Sequence, residues 1–284
     1  MKMRKIRLTA ALTLTAVLAL GSVSVYAEES AAETGEVKVI NVANAAMPKP
    51  YSYMDENNEV TGYDIEVIKA IFDRLPQYEL NLEITEFPSI LTGVDAGRYD
   101  LGINCLKSTP EREEKYLFSD PYLVDRLEMV VAADNTDINS LADLAGKSTV
   151  DLTGTIGIVQ LEDYNERANA GIKINYSEAD YSVLLSELED GKYDFIYLNK
   201  LTFDELNKDK NYNLRTFYFS DEDLAEYTNG KDSESTYILA SKTDEGQALI
   251  DDVNGALKSL IEDGTLDKIA EEFLGSTDYV PVIK

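Results

Sequence analysis

Two cations, Lys107 and Arg112, follow an apolar segment in a chain that is strongly acidic overall. The planar guanidinium group of an arginine can bind a carboxylate through two parallel hydrogen bonds, and this contact strengthens where water is excluded. The pattern therefore indicates a binding site for a ligand that carries a carboxylate. The alternative from spacing alone is a surface arginine that pairs with Glu111, Glu113 or Glu114.

A second candidate feature is the segment TGTIG at residues 153–157, between a predicted strand and a predicted helix. Gly154 lets the backbone approach a ligand closely, and Thr155 offers a hydroxyl group. Free amide groups at the start of a helix can bind an anion. An ordinary tight turn explains the segment equally well. It is not a phosphate-binding loop, because no Gly-Lys-Ser/Thr sequence follows it.

Tyr51, Tyr53 and Phe87 are aromatic side chains that could form the wall of a pocket, although core packing explains any one of the 18 tyrosines as well. Conventional catalytic groups are missing from the sequence. It contains no histidine and a single cysteine, Cys105, which we interpret as a small buried apolar residue. We therefore predict no catalytic residue, no metal site and no cofactor.

These candidate residues lie among strands that alternate with helices, a pattern typical of an α/β fold. Apolar residues at helical spacing from Ile65 to Leu75 predict a helix whose N-cap is Asp64. The predicted strands cover residues 37–42, 81–84, 99–103, 127–132, 148–152, 172–176 and 193–198. The predicted helices cover residues 64–75, 88–96, the segment from the 153–157 turn to about 168, 181–190, and two segments that end at Gly264 and Gly275.

A short internal repeat indicates two similar lobes. GRYD at residues 97–100 and GKYD at residues 191–194 each follow a short amphipathic helix and precede a strand, although a four-residue match can also arise by chance. Ligands of α/β sheets bind beyond the carboxyl ends of the strands. We therefore expect residues 104–107 and 198–200 at the mouth of a cleft between the lobes.

The N-terminal residues 1–27 resemble a cleavable secretory signal, with a basic start, an apolar stretch and small residues before Glu28. An uncleaved anchor helix is the alternative. Because this segment and its flank contain no cysteine, we expect an exported protein without a lipid anchor at a signal-peptide cysteine. Removing its four basic residues from 26 leaves 22 against 53 acidic residues, a net charge of −31 that repels nucleic acids.

The motifs STPER, FSDPY and DGTLDKI, in this order, resemble the polar amino-acid solute-binding proteins of ABC importers, also called extracellular solute-binding protein family 3. The resemblance covers residues 38–275. It implies a type II periplasmic-binding fold, in which two α/β lobes close over a ligand and are joined by two hinge crossings. The expected organisation is a signal peptide at 1–27, a first lobe at 28–127 and 237–284, and a second lobe at 128–236.

The resemblance also implies roles for individual residues. Arg112 matches the arginine that binds the ligand's α-carboxylate, and residues 154–156 match the turn of the second lobe that completes this contact. Phe87 matches an aromatic residue that lines the pocket. The full set of candidate ligand-binding residues is Arg112, Lys107, Phe87, Asn104, Cys105, Thr155, Gly154, Ile156, Asn199 and Tyr51.

Three positions depart from the family pattern. Asn199 stands where the family usually has an aspartate that pairs with the α-ammonium group, and Lys107 stands where it has a small hydroxyl residue. Met47 or Pro48 replaces an aromatic residue that usually covers the ligand. We hypothesise a ligand more negative than a neutral amino acid, such as an acidic or modified amino acid or a small organic acid. Alternatively, another acid pairs with the ammonium group, or Lys107 points to solvent.

The function that the resemblance implies is that of a monomeric extracytoplasmic receptor. It would bind an amino acid or a related carboxylate and deliver it to the membrane permease of an ABC importer. Two alternatives remain open at this point. One is an enzyme of the cyclohexadienyl-dehydratase type on the same fold, for which the sequence shows no general-acid motif. The other is a sensory protein that passes its ligand signal to a membrane receptor.

Overall fold

The computed structural model describes residues 37–282, so the predicted signal sequence at 1–27 lies outside the described residues. Strands and helices alternate along most of this part of the chain, which confirms the predicted α/β class. Within residues 37–282 there is no helix with the length and apolar character that crossing a membrane requires.

The strands are β1 (Lys38–Asn44), β2 (Tyr53–Met54), β3 (Val60–Thr61), β4 (Tyr78–Ile84), β5 (Leu101–Lys107), β6 (Tyr116–Phe118), β7 (Leu123–Val124), β8 (Leu127–Ala132), β9 (Ser148–Asp151), β10 (Lys173–Tyr176), β11 (Ile196–Asn199), β12 (Leu214–Phe217) and β13 (Ser235–Ser241). The α-helices are α1 (Tyr63–Asp73), α2 (Phe87–Asp95), α3 (Pro110–Lys115), α4 (Ile156–Ala168), α5 (Tyr181–Glu189), α6 (Lys200–Lys210), α7 (Asp221–Thr228), α8 (Asp244–Glu262) and α9 (Thr265–Leu274).

The first sheet has the strand order β4-β1-β5-β13-β6, with β7 paired to β13. Strand β1 runs parallel to β4 and β5, whereas β13 returns from the distant C-terminal part and runs antiparallel to β5. Helices α1, α8 and α9 pack on one face of this sheet, through residues such as Ile68 and Leu257. Helix α2 covers the other face with Ile90 and Val94.

The second sheet consists of β8 between the antiparallel strands β11 and β12, together with the parallel pair β9 and β10. A bridge between Thr149 and Phe195 joins the two groups. Successive side chains of a strand point to opposite faces of the sheet. In β8, Met129 therefore packs in one apolar cluster and Val130 in another. Both clusters are buried, which explains why β8 is apolar at almost every position.

The chain passes between the two sheets twice, which defines two passages. The first passage is Asp125–Arg126, between β7 and β8, and the second lies at Glu234, just before β13. An ion pair of 3.5 Å between Arg126 and Glu234 connects them on the exposed side. The division into a discontinuous first lobe and a second lobe, with the bounds of 127 and 236 expected above, remains a proposal that these passages support.

Helix α1 starts at Tyr63 and its N-cap is Gly62, so the prediction that Asp64 caps it is wrong. The side chain of Asp64 is fully buried and accepts hydrogen bonds from the Cys105 amide at 2.8 Å and the Tyr122 hydroxyl at 2.9 Å. Burial raises the pKa of this carboxyl to about 7. Asp64 therefore fixes the end of β5, where the candidate site begins.

Candidate ligand-binding site

A cavity of about 590 Å³, counted together with the open solvent at its mouth, lies between the two sheets. Every predicted site residue lines it except Gly154 and Tyr51. The lining from the first-sheet side is Met47, Pro48, Phe87, Asn104, Cys105, Lys107 and Arg112. The lining from the second-sheet side is Leu127, Asp151, Leu152, Thr155, Ile156, Gly157, Tyr181, Tyr197, Leu198 and Asn199.

Arg112 is the most prominent charge in this cavity, and its side chain is buried in spite of that charge. Thr109 caps helix α3 by accepting the Arg112 amide hydrogen at 3.1 Å, which places the side chain across the cleft. The guanidinium group of Arg112 donates to the Lys107 carbonyl and to the Gly154 carbonyl, both at 2.8 Å. Burial lowers the pKa of Arg112 to about 10, still well above neutrality.

The alternative of a surface arginine paired with a nearby glutamate is wrong. Glu111 pairs with Lys115 at 2.7 Å, and Glu113 accepts a hydrogen bond from Ser108. Within residues 37–282 no carboxylate forms an ion pair with Arg112, whose two protein partners are uncharged carbonyl groups. A buried cation without a counter-ion is costly, so a ligand carboxylate would stabilise this group strongly.

The turn at residues 154–156 meets Arg112 from the second-sheet side. Gly154 contributes its carbonyl to Arg112, whereas the sequence suggested that it would offer backbone to the ligand. Thr155 caps helix α4 by accepting the Ile158 amide hydrogen at 3.4 Å, and its hydroxyl donates to Asp151 at 2.8 Å. The first amide groups of α4, at Ile156 and Gly157, have no carbonyl partner within the helix and lie at the cavity.

Asp151 is a lining residue that sequence reasoning missed. Its buried carboxylate accepts hydrogen bonds from the Tyr181 hydroxyl at 2.8 Å and from Thr155. Burial is the main influence on this carboxyl and raises its pKa to about 6. The position of Asp151 at the last residue of β9 was an available signal, because polar residues at strand ends often face a ligand.

Lys107 lies under the cavity with 1% of its surface exposed, so the alternative that it points to solvent is wrong. Its ammonium group donates to the Asp125 carbonyl at 2.8 Å and to the Glu234 carbonyl at 2.7 Å. These carbonyls belong to the first and the second passage. The described contacts therefore tie Lys107 to both passages, and its contact with a ligand carboxylate remains a hypothesis.

Asn199 connects the cavity to a second buried acid that the sequence did not reveal. Its amide nitrogen donates to the Asp125 carboxylate at 2.7 Å, and the Tyr51 hydroxyl donates to the same oxygen atom. Tyr51 is fully buried and is not among the lining residues. Its hydroxyl therefore contacts Asp125 and not the cavity. Tyr53 also lies outside the lining.

Asn104 and Cys105 shape the cavity at the end of β5. The Asn104 amide group accepts from Ala45 at 2.8 Å and donates to the Met47 carbonyl at 2.9 Å, which holds the segment that carries Met47 against the cleft. Cys105 has a left-handed backbone with a φ of 49°. Burial raises the pKa of its thiol far above the ordinary range, which makes it a poor nucleophile.

No group of three or more acidic or cysteine side chains suitable for a metal ion occurs in the described part of the chain. The cavity therefore combines the buried arginine Arg112, helix-terminal amides, the buried acid Asp151 and an apolar wall. Phe87, at the start of α2, contributes to this wall together with Met47 and Leu127.

Comparison with known proteins identifies the family of this chain. Residues 40–276 match the family described as bacterial extracellular solute-binding proteins, family 3. The chain belongs to this family. Such proteins are binding proteins of ABC importers, and the family assignment confirms the predicted receptor role, the two-lobed type II fold and the interpretation that the chain is not an enzyme. Membership also implies that the protein is exported.

Among its relatives is the L-cystine-binding protein TcyA of Bacillus subtilis, which is 32% identical over 240 residues, covering 84% of this chain and 81% of TcyA. A structure from work on glutathione import via GshT and the cystine ABC importer TcyBC of Streptococcus mutans has 31% identity and a TM-score of 0.76, covering 86% of this chain and 98% of that one. A putative L-cystine ABC transporter structure from Listeria monocytogenes has 29% identity and a TM-score of 0.76, covering 86% and 99%.

Proposed function

We propose that this receptor binds L-cystine or a closely related amino acid with a free α-carboxylate and α-ammonium group, and delivers it to the permease of an ABC importer. The observation that carries the proposal is Arg112, a buried cation that reaches both sides of the cavity and lacks a counter-ion among residues 37–282. A ligand carboxylate at this position would be held by the guanidinium group and by the amides of Ile156 and Gly157.

The lining residues also support a partly apolar ligand. Phe87, Leu127 and Leu152 are apolar residues of this lining. Met47 and Pro48 also line it, and one of them stands where the family usually has an aromatic residue. The relatives named above include cystine-binding proteins, and a disulfide is an apolar centre between two polar ends. We also propose that the protein acts as a monomer and that residues 1–27 are a cleaved signal without a lipid-anchoring cysteine.

The proposal is tested by calorimetric titration of the purified protein, which is first unfolded and refolded to remove any retained ligand. The ligands are L-cystine, L-arginine, L-glutamate and oxidised glutathione. We expect L-cystine to bind most tightly. If L-glutamate binds most tightly, the hypothesis of a more negative ligand replaces cystine. If none of the four binds, the proposed ligand class is wrong.

The matched variants are Arg112→Met and Arg98→Met. Removing one partner of a buried charge pair typically costs about 2–5 kcal/mol, so Arg112→Met should weaken cystine binding about 30- to 5,000-fold. Arg98 lies on the exposed surface and pairs with Glu83 at 3.2 Å, so its replacement should leave binding unchanged. Unchanged binding by Arg112→Met would refute the carboxylate role of Arg112.

A further inference from the structure

The side chain of Asn199 departs from the usual behaviour of its position. It is the N-cap residue of helix α6, where an asparagine normally accepts a backbone amide hydrogen of the first turn. Here the side chain makes no capping hydrogen bond, and its amide nitrogen donates to Asp125 at 2.7 Å. The helix thus gives up a stabilising cap in favour of a contact with a buried carboxylate.

This contact determines which end of the amide faces the cavity. An ionised carboxylate can only accept hydrogen bonds, so the Nδ2 group of Asn199 must be the end that meets Asp125. The Oδ1 atom is then the polar atom that Asn199 can offer to a ligand in the cavity that it lines. A hydrogen-bond acceptor at this position suits an ammonium group and does not suit a second carboxylate.

Asp125 is the acid behind this amide. Burial raises the pKa of its carboxyl, whereas the charge of Lys107 and the hydrogen bonds from Tyr51 and Asn199 lower it. The residue has 2% of its surface exposed and does not line the cavity. One carboxylate oxygen accepts hydrogen bonds from both Asn199 and Tyr51, while the other, Oδ1, accepts none from a side chain within residues 37–282. An unpartnered buried carboxylate oxygen is costly, and a nearby positive charge on the ligand would offset part of that cost.

We propose that Asp125 is the positioning residue for the ligand's ammonium group. It holds Asn199 with the amide oxygen toward the cavity, and it supplies the negative charge that position 199 itself lacks. The proposal rests on the proposed function, because it requires a ligand with an α-ammonium group. It explains why an asparagine can occupy position 199 although the ligand still carries an ammonium group. The acid that the family usually has at position 199 is replaced by Asp125 in the first passage.

A structural explanation competes with this role. Asp125 could serve only to balance the charge of Lys107, whose ammonium group donates to the Asp125 carbonyl. However, Lys107 forms no ion pair with the Asp125 carboxylate in the described part of the chain, and donates to two carbonyls instead. The two explanations differ in selectivity. A structural role affects all ligands alike, whereas a positioning role affects only ligands with an ammonium group.

The test compares L-cystine with dithiodipropionic acid, which is cystine without its two ammonium groups, by calorimetric titration. For the wild type we expect cystine to bind more tightly. Asp125→Asn should weaken cystine binding about 10- to 100-fold, the usual effect of a lost hydrogen bond to a charged group, and should change binding of the diacid less than about 3-fold. Asp134→Asn removes the same charge from the exposed surface and should change neither affinity.

Two further variants make the outcome decisive. Asp125→Asn combined with Asn199→Asp returns the acid to position 199 and should restore cystine affinity to within about 3-fold of the wild type. Asn199→Ala leaves Asp125 in place, removes the connecting amide and should produce the same selective loss, which covers the case in which Asp125→Asn does not fold.

Equal losses for cystine and for the diacid, or no rescue by the double variant, would overturn the proposal while leaving the receptor function intact. Failure of the wild type to bind cystine or any other amino acid in the panel would instead overturn the proposed function, and the role of Asp125 with it.

Discussion

Lys107 offers a sharp test of how the two passages are held. Replacing it with methionine keeps an unbranched apolar side chain of similar length but removes the ammonium group from the carbonyls of Asp125 and Glu234, at 2.8 Å and 2.7 Å. A hydrogen bond from a charged donor typically contributes about 1.5–3 kcal/mol. Part of this loss is offset because the variant no longer buries a charge, so we expect a net destabilisation of about 2–4 kcal/mol.

The measurement is chemical denaturation of the ligand-free protein followed by circular dichroism, since the chain contains no tryptophan. In thermal unfolding followed by the same signal, the melting temperature should fall by about 5–15 °C. The matched control is Lys69→Met, because Lys69 is an exposed lysine paired with Glu66, and its replacement should change the unfolding free energy by less than about 0.5 kcal/mol. A Lys107→Met variant as stable as the control would refute the reasoning.

A second variant of Lys107 distinguishes a role in binding the ligand carboxylate from a role confined to its contacts with the two passages. If Lys107 also contributes a second cation to the ligand, Lys107→Thr should weaken binding of L-glutamate more than binding of L-cystine. If its contacts are confined to the passages, both affinities should change by the same factor. Unchanged affinity for an acidic ligand would refute the role of Lys107 in carboxylate binding.

Two other predictions concern stability. Gly62 has a φ of 118°, and a Cβ atom there would lie 2.4 Å from the Tyr51 carbonyl oxygen. Gly62→Ala should therefore lower the free energy of unfolding, measured by urea denaturation, by about 2–4 kcal/mol. The matched control is Gly255→Ala in the open middle of α8, which should raise it by up to about 1 kcal/mol. The pKa of Asp64 is raised to about 7 by burial, and a carboxyl with a higher pKa in the folded than in the unfolded state takes up a proton on folding. The free energy of unfolding should therefore increase as the pH falls from about 8 to about 5, and Asp64→Asn should flatten this increase in melting curves.

The sequence predicts the elements that have a strong apolar pattern. Helix α1, strand β8 and helix α5 all follow directly from the spacing of their apolar residues. The prediction misses α6, whose sequence KLTFDELNKDK is mostly polar, and β12, whose four residues are all half-buried. Such elements gain their stability from neighbours in the fold, and a local pattern does not indicate them.

The candidate site is predictable to the extent that its residues are close in sequence. Asn104 and Cys105 in the last part of β5 and Arg112 just after it belong to one continuous motif, and the structure places them together in the lining. The contact between Asp125 and Asn199 joins residues 74 positions apart, and the contact of Lys107 with Glu234 joins residues 127 apart. Only the folded chain brings these groups together, so no local pattern could reveal that the acid belongs to position 125.

The ammonium group of Lys107 also has a consequence for mechanics. An ammonium is a compact charge with three donors that rotate freely about the side-chain axis, whereas a guanidinium is a rigid planar fork. Because these donors rotate, the ammonium group can keep both hydrogen bonds when the angle between the two passages changes. We therefore expect that an opening of the cleft would leave the carbonyl groups of both passages paired with this ammonium group.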